Sequence, residues 1–217
     1  MKTIYNIKKQ PAFTMIELVF VIVIMGILAA LALPRLERDI RQEAADNILS
    51  AIRYTQQLSL IDNKTSTDAN WQRKLWAIRF TSGSNAFYTV ATDDNNNSSI
   101  TKLEAAIDPA NGKYFFNTSG AFSAIAADES PNIFLAHNYG IDTITFSGGC
   151  SNQQQHVAFD HLGRPFNGIG TATNNYATIM TSDCNIQFGF VDTDIDDLNI
   201  TVEKQTGYSF IVGQPNS

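Results

Sequence analysis

Four carboxylates, Asp192, Asp194, Asp196 and Asp197, fall within one short stretch near the end of the chain. Hard oxygen donors of this kind suit calcium, which takes about 6–8 of them. The spacing is not that of an EF-hand loop, so a solvated acidic turn is the competing and stronger reading. Two cysteines, Cys150 and Cys184, either close one disulfide or stay as buried thiols, and a bridge needs an oxidising compartment. Neither belongs to a C-x-x-C pair, which argues against structural zinc. A bridge would stabilise the fold by roughly 3–4 kcal/mol through loop entropy. The histidines are His137, His156 and His161. On one strand the last two would face opposite sides, so they are poor joint ligands and are expected on the surface or in turns. No nucleophile elbow, P-loop, H-E-x-x-H or dinucleotide fingerprint is present. The expectation is a protein that is not an enzyme and needs no cofactor, with calcium as the weak exception.

Glu17 stands apart from these groups. It lies just inside an apolar segment, and no charged or strongly polar side chain follows from Leu18 to Leu33. An acid at the centre of a membrane helix costs about 2.5–3.5 kcal/mol, and less near an end. A partner that neutralises Glu17 would offset that cost. Ile16 to Leu33 would make about 27 Å of helix at about 1.5 Å per residue, just enough for a hydrocarbon core of about 30 Å. Three readings of the segment compete. A secretory signal peptide would use Ala30-Leu31-Ala32 as its cleavage site, but the run is too long and Glu17 interrupts it. A plain single-pass anchor leaves Glu17 as an accident. Lys2, Lys8 and Lys9 precede the span and Arg35, Arg38 and Arg41 follow it, so basic residues alone do not set its orientation.

The third reading rests on a motif. Phe13-Thr14-Met15-Ile16-Glu17-Leu18, with the basic leader before it and the apolar run after it, resembles the N-terminal signature of type IV prepilins and of type II secretion pseudopilins. Pro34 falls where many of these proteins carry a proline. The resemblance covers roughly the first quarter of the chain and is the reading we favour. It implies that prepilin peptidase removes residues 1–12 by cutting between Ala12 and Phe13, and that the new Phe13 amine is methylated. The family usually has Gly before the cut, where this chain has Ala12. It implies that Glu17 pairs with the Phe13 amine of a neighbouring subunit. The implied partners are other pilin or pseudopilin subunits, the inner-membrane assembly platform and the bacterial inner membrane itself. The implied location is a single pass with the C-terminal domain in the periplasm, where Cys150 and Cys184 would be bridged.

Two further residue groups gain a family reading. Some major pseudopilins hold calcium in a loop near the C-terminus, which bears on the Asp192–Asp197 stretch. In certain minor pilins, basic residues near a Gly-Arg turn contact DNA during uptake. Here only Arg164 matches, within Phe159-Asp160-His161-Leu162-Gly163-Arg164-Pro165. The chain has 15 bases against 21 acids, a net charge of −6, and three of the bases are in the leader. A general nucleic-acid binder is not expected. Arg164 reads better as a structural turn residue or a contact to a neighbouring subunit.

The elements that must position these groups follow from periodicity. One helix is expected from about Phe13 to Ile61, bent near Pro34, with residues 13–33 as its transmembrane half and 34–62 as its amphipathic half. Leu36, Ile40, Ala44, Ile48 and Ile52, then Leu58 and Ile61, widened by Ala45 and Leu49, form the apolar stripe. Residues 63–217 then read as a β-rich globular domain, giving an α+β chain: a long helix packed on an antiparallel sheet or two-sheet domain. Strands are expected at 75–80, 86–90, 141–146, 155–161, 176–181, 185–191, 198–203 and 208–212. Ser82-Gly83-Ser84-Asn85 and Lys204-Gln205-Thr206-Gly207 read as hairpin turns. This size and strand count are similar to the minor pseudopilins of the H type. Asn63, Asn97, Asn117 and Asn199 match the glycosylation sequon, which carries no weight in so Asn-rich a chain.

Overall fold

The structure is a computed structural model that describes residues 14–97, 99–150, 155–171 and 176–214, with only the backbone described for 30–39 and 171. The chain divides into two units, residues 1–39 and 40–217. Helix α1 (Met15–Ile61) contributes to both and is assigned without a break at Pro34. The class is α+β.

Among the described residues of the second unit, eight strands form two four-stranded antiparallel sheets. They are β1 (Trp76–Thr81), β2 (Phe87–Ala91), β3 (Ile141–Gly148), β4 (His156–Phe159), β5 (Pro165–Phe166), β6 (Cys184–Phe190), β7 (Leu198–Val202) and β8 (Ser209–Ile211). The first sheet has the order β2-β1-β4-β5 and the second β3-β6-β7-β8. Both expected hairpins form, with Gly83 and Gly207 at positive φ in their turns.

Residues 40–61 of α1 turn an apolar face to the core. Ala44, Ala45, Ile48, Leu49 and Ile52 are buried, as their spacing predicts. The stripe then departs from expectation: Ile61 is 77% exposed, and the buried face continues through Thr55 and Ser59. Their hydroxyls donate back to helix carbonyls, Thr55 Oγ1 to Ala51 at 2.8 Å and Ser59 Oγ to Gln56 at 2.6 Å. That satisfies each polar group locally and lets it sit inside. Three side chains fasten the helix to the loops and strands of its own unit. Arg41 donates to the Asp196 and Asp197 carbonyls, Arg53 to the Ser209 carbonyl, and Gln56 to the Gly163 and Thr206 carbonyls.

The two sheets are buried differently. β6 alternates, with Ile186, Phe188 and Phe190 inward and Asn185 and Gln187 outward, so one face of its sheet meets water. The first sheet is covered on both faces. Ile78, Phe80, Val157 and Phe159 join the main core with α1. Ala77 and Ala158 face a second, smaller core of Trp71, Leu75, Phe166 and Ile169. His156 is fully buried on that sheet, where its Nε2 accepts from the Ile169 amide at 3.3 Å. The expected surface or turn placement fails for His156 because both faces of its strand are covered.

Residues 176–181 are not a strand. Residues 176–179 form a turn instead, opened by Tyr176 at φ +57° and closed by the Ile179 amide donating to the Tyr176 carbonyl at 3.1 Å, and Ile179 bridges to Phe166. β4 stops at Phe159 because Asp160 turns the chain. The long stretch from β2 to β3 contains α2 (Leu135–Tyr139) and is tied together by two buried acids. Asp108 accepts from the Ala110 amide, Asn111, Ser130 and Asn132, and Glu129 from the Ala126 amide and from Thr118 through its amide and hydroxyl. Three of the sequon asparagines act as turn formers. Asn63, Asn97 and Asn117 each accept from the amide two residues on.

Candidate functional site

The first amides of any helix lack intrahelical acceptors. At the start of α1 this need is met by Thr14 and Glu17. The Glu17 amide donates to Thr14 Oγ1 at 3.4 Å, and the Thr14 amide and hydroxyl both lie 3.4 Å from Glu17 Oε2. This reciprocal T-x-x-E arrangement is a capping box with long contacts. Its spacing is present in the sequence but is masked there by the more conspicuous apolar run. The structure therefore gives Glu17 an intramolecular partner, Thr14, that the residue types alone did not single out. Ala12 and Phe13, the expected cleavage and methylation residues, lie outside the described residues.

Beyond Glu17 the helix presents apolar side chains in every direction. From Met15 to Leu28 they are exposed all round, Met15 at 90% and Phe20 at 66%. Among the described residues, no helix is long and apolar enough to cross a membrane. The expected span of residues 13–33 extends past the described side chains at both ends.

Cys150 and Cys184 form a disulfide. β3 pairs with β6 so that Gly148 lies opposite Cys184, and this register brings Cys150 to the start of β6. Gly148 has φ +69°, and a side chain there would collide with the Asp183 carbonyl. Both sulfurs are buried within the main core.

The acidic stretch does not converge. Asp192 accepts from the Asp194 amide, Asp197 accepts from Gln187 at 2.7 Å, and the Asp196 and Asp197 carbonyls take Arg41. Among the described residues, no group of three or more His, Cys, Asp or Glu is placed to hold a metal ion.

Arg164 is committed to its own turn. Its Nε and guanidinium nitrogen lie 2.8 and 2.6 Å from the Asp160 carboxylate, and its amide donates to the same group at 2.9 Å. Asp160 is 1% exposed and also accepts from the Leu162 amide. The guanidinium sits 5.7 Å from the Tyr176 ring. These contacts make Arg164 a turn-forming residue. Of the other two histidines, His161 bonds Thr65 in the same turn and His137 is exposed and stacked on Phe122. The three histidines are not brought together.

Residues 7–33 match the family described as the prokaryotic N-terminal methylation motif. No curated protein and no solved structure matches the chain. The match covers the end of the leader with Lys8 and Lys9, Phe13, the Thr14–Glu17 cap and the apolar run together, so the chain carries the prepilin signature of type IV pilin- and pseudopilin-like proteins.

Proposed function

We propose that this chain is a pilin-like structural subunit of a type II secretion pseudopilus or a type IV pilus, with working parts that are physical and not catalytic. The observation that carries the proposal is the methylation motif at 7–33 running into a helix that is apolar on every side except at Glu17. A helix with such a surface needs a bilayer or a bundle of like helices to cover it. Prepilin peptidase would cut before Phe13 and leave Thr14 as the second residue, with the helix starting one residue later. The long contacts from Glu17 to Thr14 are weak, so an incoming ammonium from a neighbouring Phe13 would displace them at little cost. In an apolar surrounding such a pair is stronger than in water, though desolvation offsets much of the gain. Its main value is register, because a misplaced helix strands a carboxylate.

The buried disulfide supports placing the second unit in the periplasm, with the protein anchored in the inner membrane before assembly on its platform with other pilin or pseudopilin subunits. Eight strands in the second unit support the finer likeness to minor pseudopilins of the H type. The engagement of Arg164 with Asp160 supports a role without nucleic acid.

The test is the mature N-terminus together with Glu17→Ala. Mass spectrometry of the native polypeptide should find a methylated Phe13 as its first residue. Glu17→Ala should remain in the membrane, folded, and lose the cross-linked ladder of assembled subunits. A protein that still begins at Met1, or that begins at Leu33 and diffuses freely, overturns the proposal.

A further inference from the structure

We propose that a cleft beside α1 in the second unit binds a protonated aliphatic amine. The cavity holds about 550 Å³, within the range of about 300–1,000 Å³ typical of small-ligand sites. One wall is α1, where Glu43, Asp46 and Asn47 share a helix face, and Asp108 stands on the loop that lines the cavity with them. No Lys, Arg or His is among its lining residues. Tyr54, Tyr88, Phe115 and Tyr139 supply the apolar part, with Phe115 5.9 Å from Tyr54 and 5.8 Å from Tyr88.

The polar groups are not equivalent. Asp108 is 3% exposed, and its oxygens are taken by hydrogen bonds from its own loop. It acts as a fixed negative charge, not as a contact. Glu43 and Asp46 are exposed on the helix, where Asp46 accepts from Gln42, one turn earlier, at 2.9 Å. The Asn47 side chain lies beside the Tyr88 hydroxyl, and its Oδ1 is buried, out of reach of a ligand in the cleft.

The field in the cleft has one sign. Burial and the Asp108 charge raise the pKa of the Tyr54 hydroxyl, and burial with Asp108 and Tyr139 raises that of Tyr88. Burial and the Glu43 charge push Tyr139 up to about 12. The phenols therefore stay neutral at physiological pH and face negative neighbours. An ammonium group meets Glu43 and Asp46, while its alkyl stem lies among the rings. An anion is repelled, and a neutral alcohol gains only the stem.

The experiment titrates n-butylammonium into the full-length protein in nonionic detergent and follows the tyrosine ring signals by NMR. Saturable shifts at Tyr54, Tyr88 and Tyr139 are expected, with n-butanol at least 10-fold weaker. Glu43→Gln with Asp46→Asn should weaken binding about 10-fold with the circular-dichroism spectrum unchanged, and Tyr139→Leu should weaken it separately. The remote pair Asp192→Asn with Asp194→Asn should bind as wild type. A non-saturating response, equal binding of n-butanol, or an equal loss in the remote pair would show diffuse attraction to an acidic protein and overturn the site.

Discussion

Removing the Cys150–Cys184 bridge should cost this fold about 4 kcal/mol. The bridge closes a loop with a sequence separation of 34. In the chain-entropy relation a loop of that length restricts the unfolded chain by about 13 cal/mol/K, or about 3.8 kcal/mol near room temperature. The β3–β6 register already holds the two cysteines together in the folded state, but the entropy is lost from the unfolded state, so native pairing does not diminish the effect. For a chain of this size each kcal/mol moves the midpoint by roughly 2–4 °C, so reduction should lower Tm by about 8–15 °C. Cys150→Ala with Cys184→Ala should fall somewhat further, because both sulfurs are fully buried and each leaves a small void. Thermal melts of oxidised, reduced and doubly substituted full-length protein, read by tryptophan fluorescence, measure this directly. Trp71 is 1% exposed and reports core opening. If all three forms melt within about 2 °C, the unfolded chain retains the β3–β6 hairpin and loop entropy is not what the bridge contributes.

Gly163→Ala should destabilise by about 1–2 kcal/mol, since the residue sits at φ +77° and a Cβ would press on Gln56 Nε2 at 3.0 Å. Urea unfolding of the pair, with Gly120→Ala at φ +76° as a control in open space, isolates the contact with α1: Gly163→Ala should cost the more of the two. Glu129→Gln should cost roughly 2–3 kcal/mol at neutral pH. Burial works to raise the Glu129 pKa, but hydrogen bonds from Thr118 and the Ala126 amide, with Lys102, outweigh it and leave the carboxyl below its ordinary range. A lowered folded pKa means that the contribution is present above the unfolded pKa and is lost as pH falls through the folded one. The gap between wild type and variant should therefore shrink on acidification below the ordinary carboxylate range, and a gap that is constant with pH would remove the charge from the account.

The legible parts of this chain are those where one physical signal dominates. The stripe at Ala44, Ile48 and Ile52 could be read because aliphatic side chains at helical spacing have few other uses, and Gly83 and Gly207 marked turns that only glycine enters cheaply. Reading failed where a polar group satisfies itself. The expected stripe passes over Thr55 and Ser59 to reach Ile61, yet these two are buried and Ile61 is not, because each hydroxyl finds a carbonyl on its own helix. His156 looks like a surface residue and is buried, because the second small core on its sheet joins the nearby Phe166 and Ile169 to Trp71, which is distant in sequence. The run 176–181 has strand composition, yet a turn over 176–179, opened by Tyr176 in a left-handed conformation, overrides it.

Glu17 shows the same limit from the other side. Its depth in an apolar run argues for a charged partner on another molecule, and that argument concerns the state that would be assembled. In the single chain the carboxylate has a nearer use, capping the helix it begins. The two uses involve the same oxygens. A subunit waiting in the membrane would keep Glu17 on Thr14, and assembly would exchange two long contacts from neutral donors for one from a charged donor. The acid is then never left without a donor at either stage. A partner offered only in the assembled filament would have left it bare in every unassembled subunit.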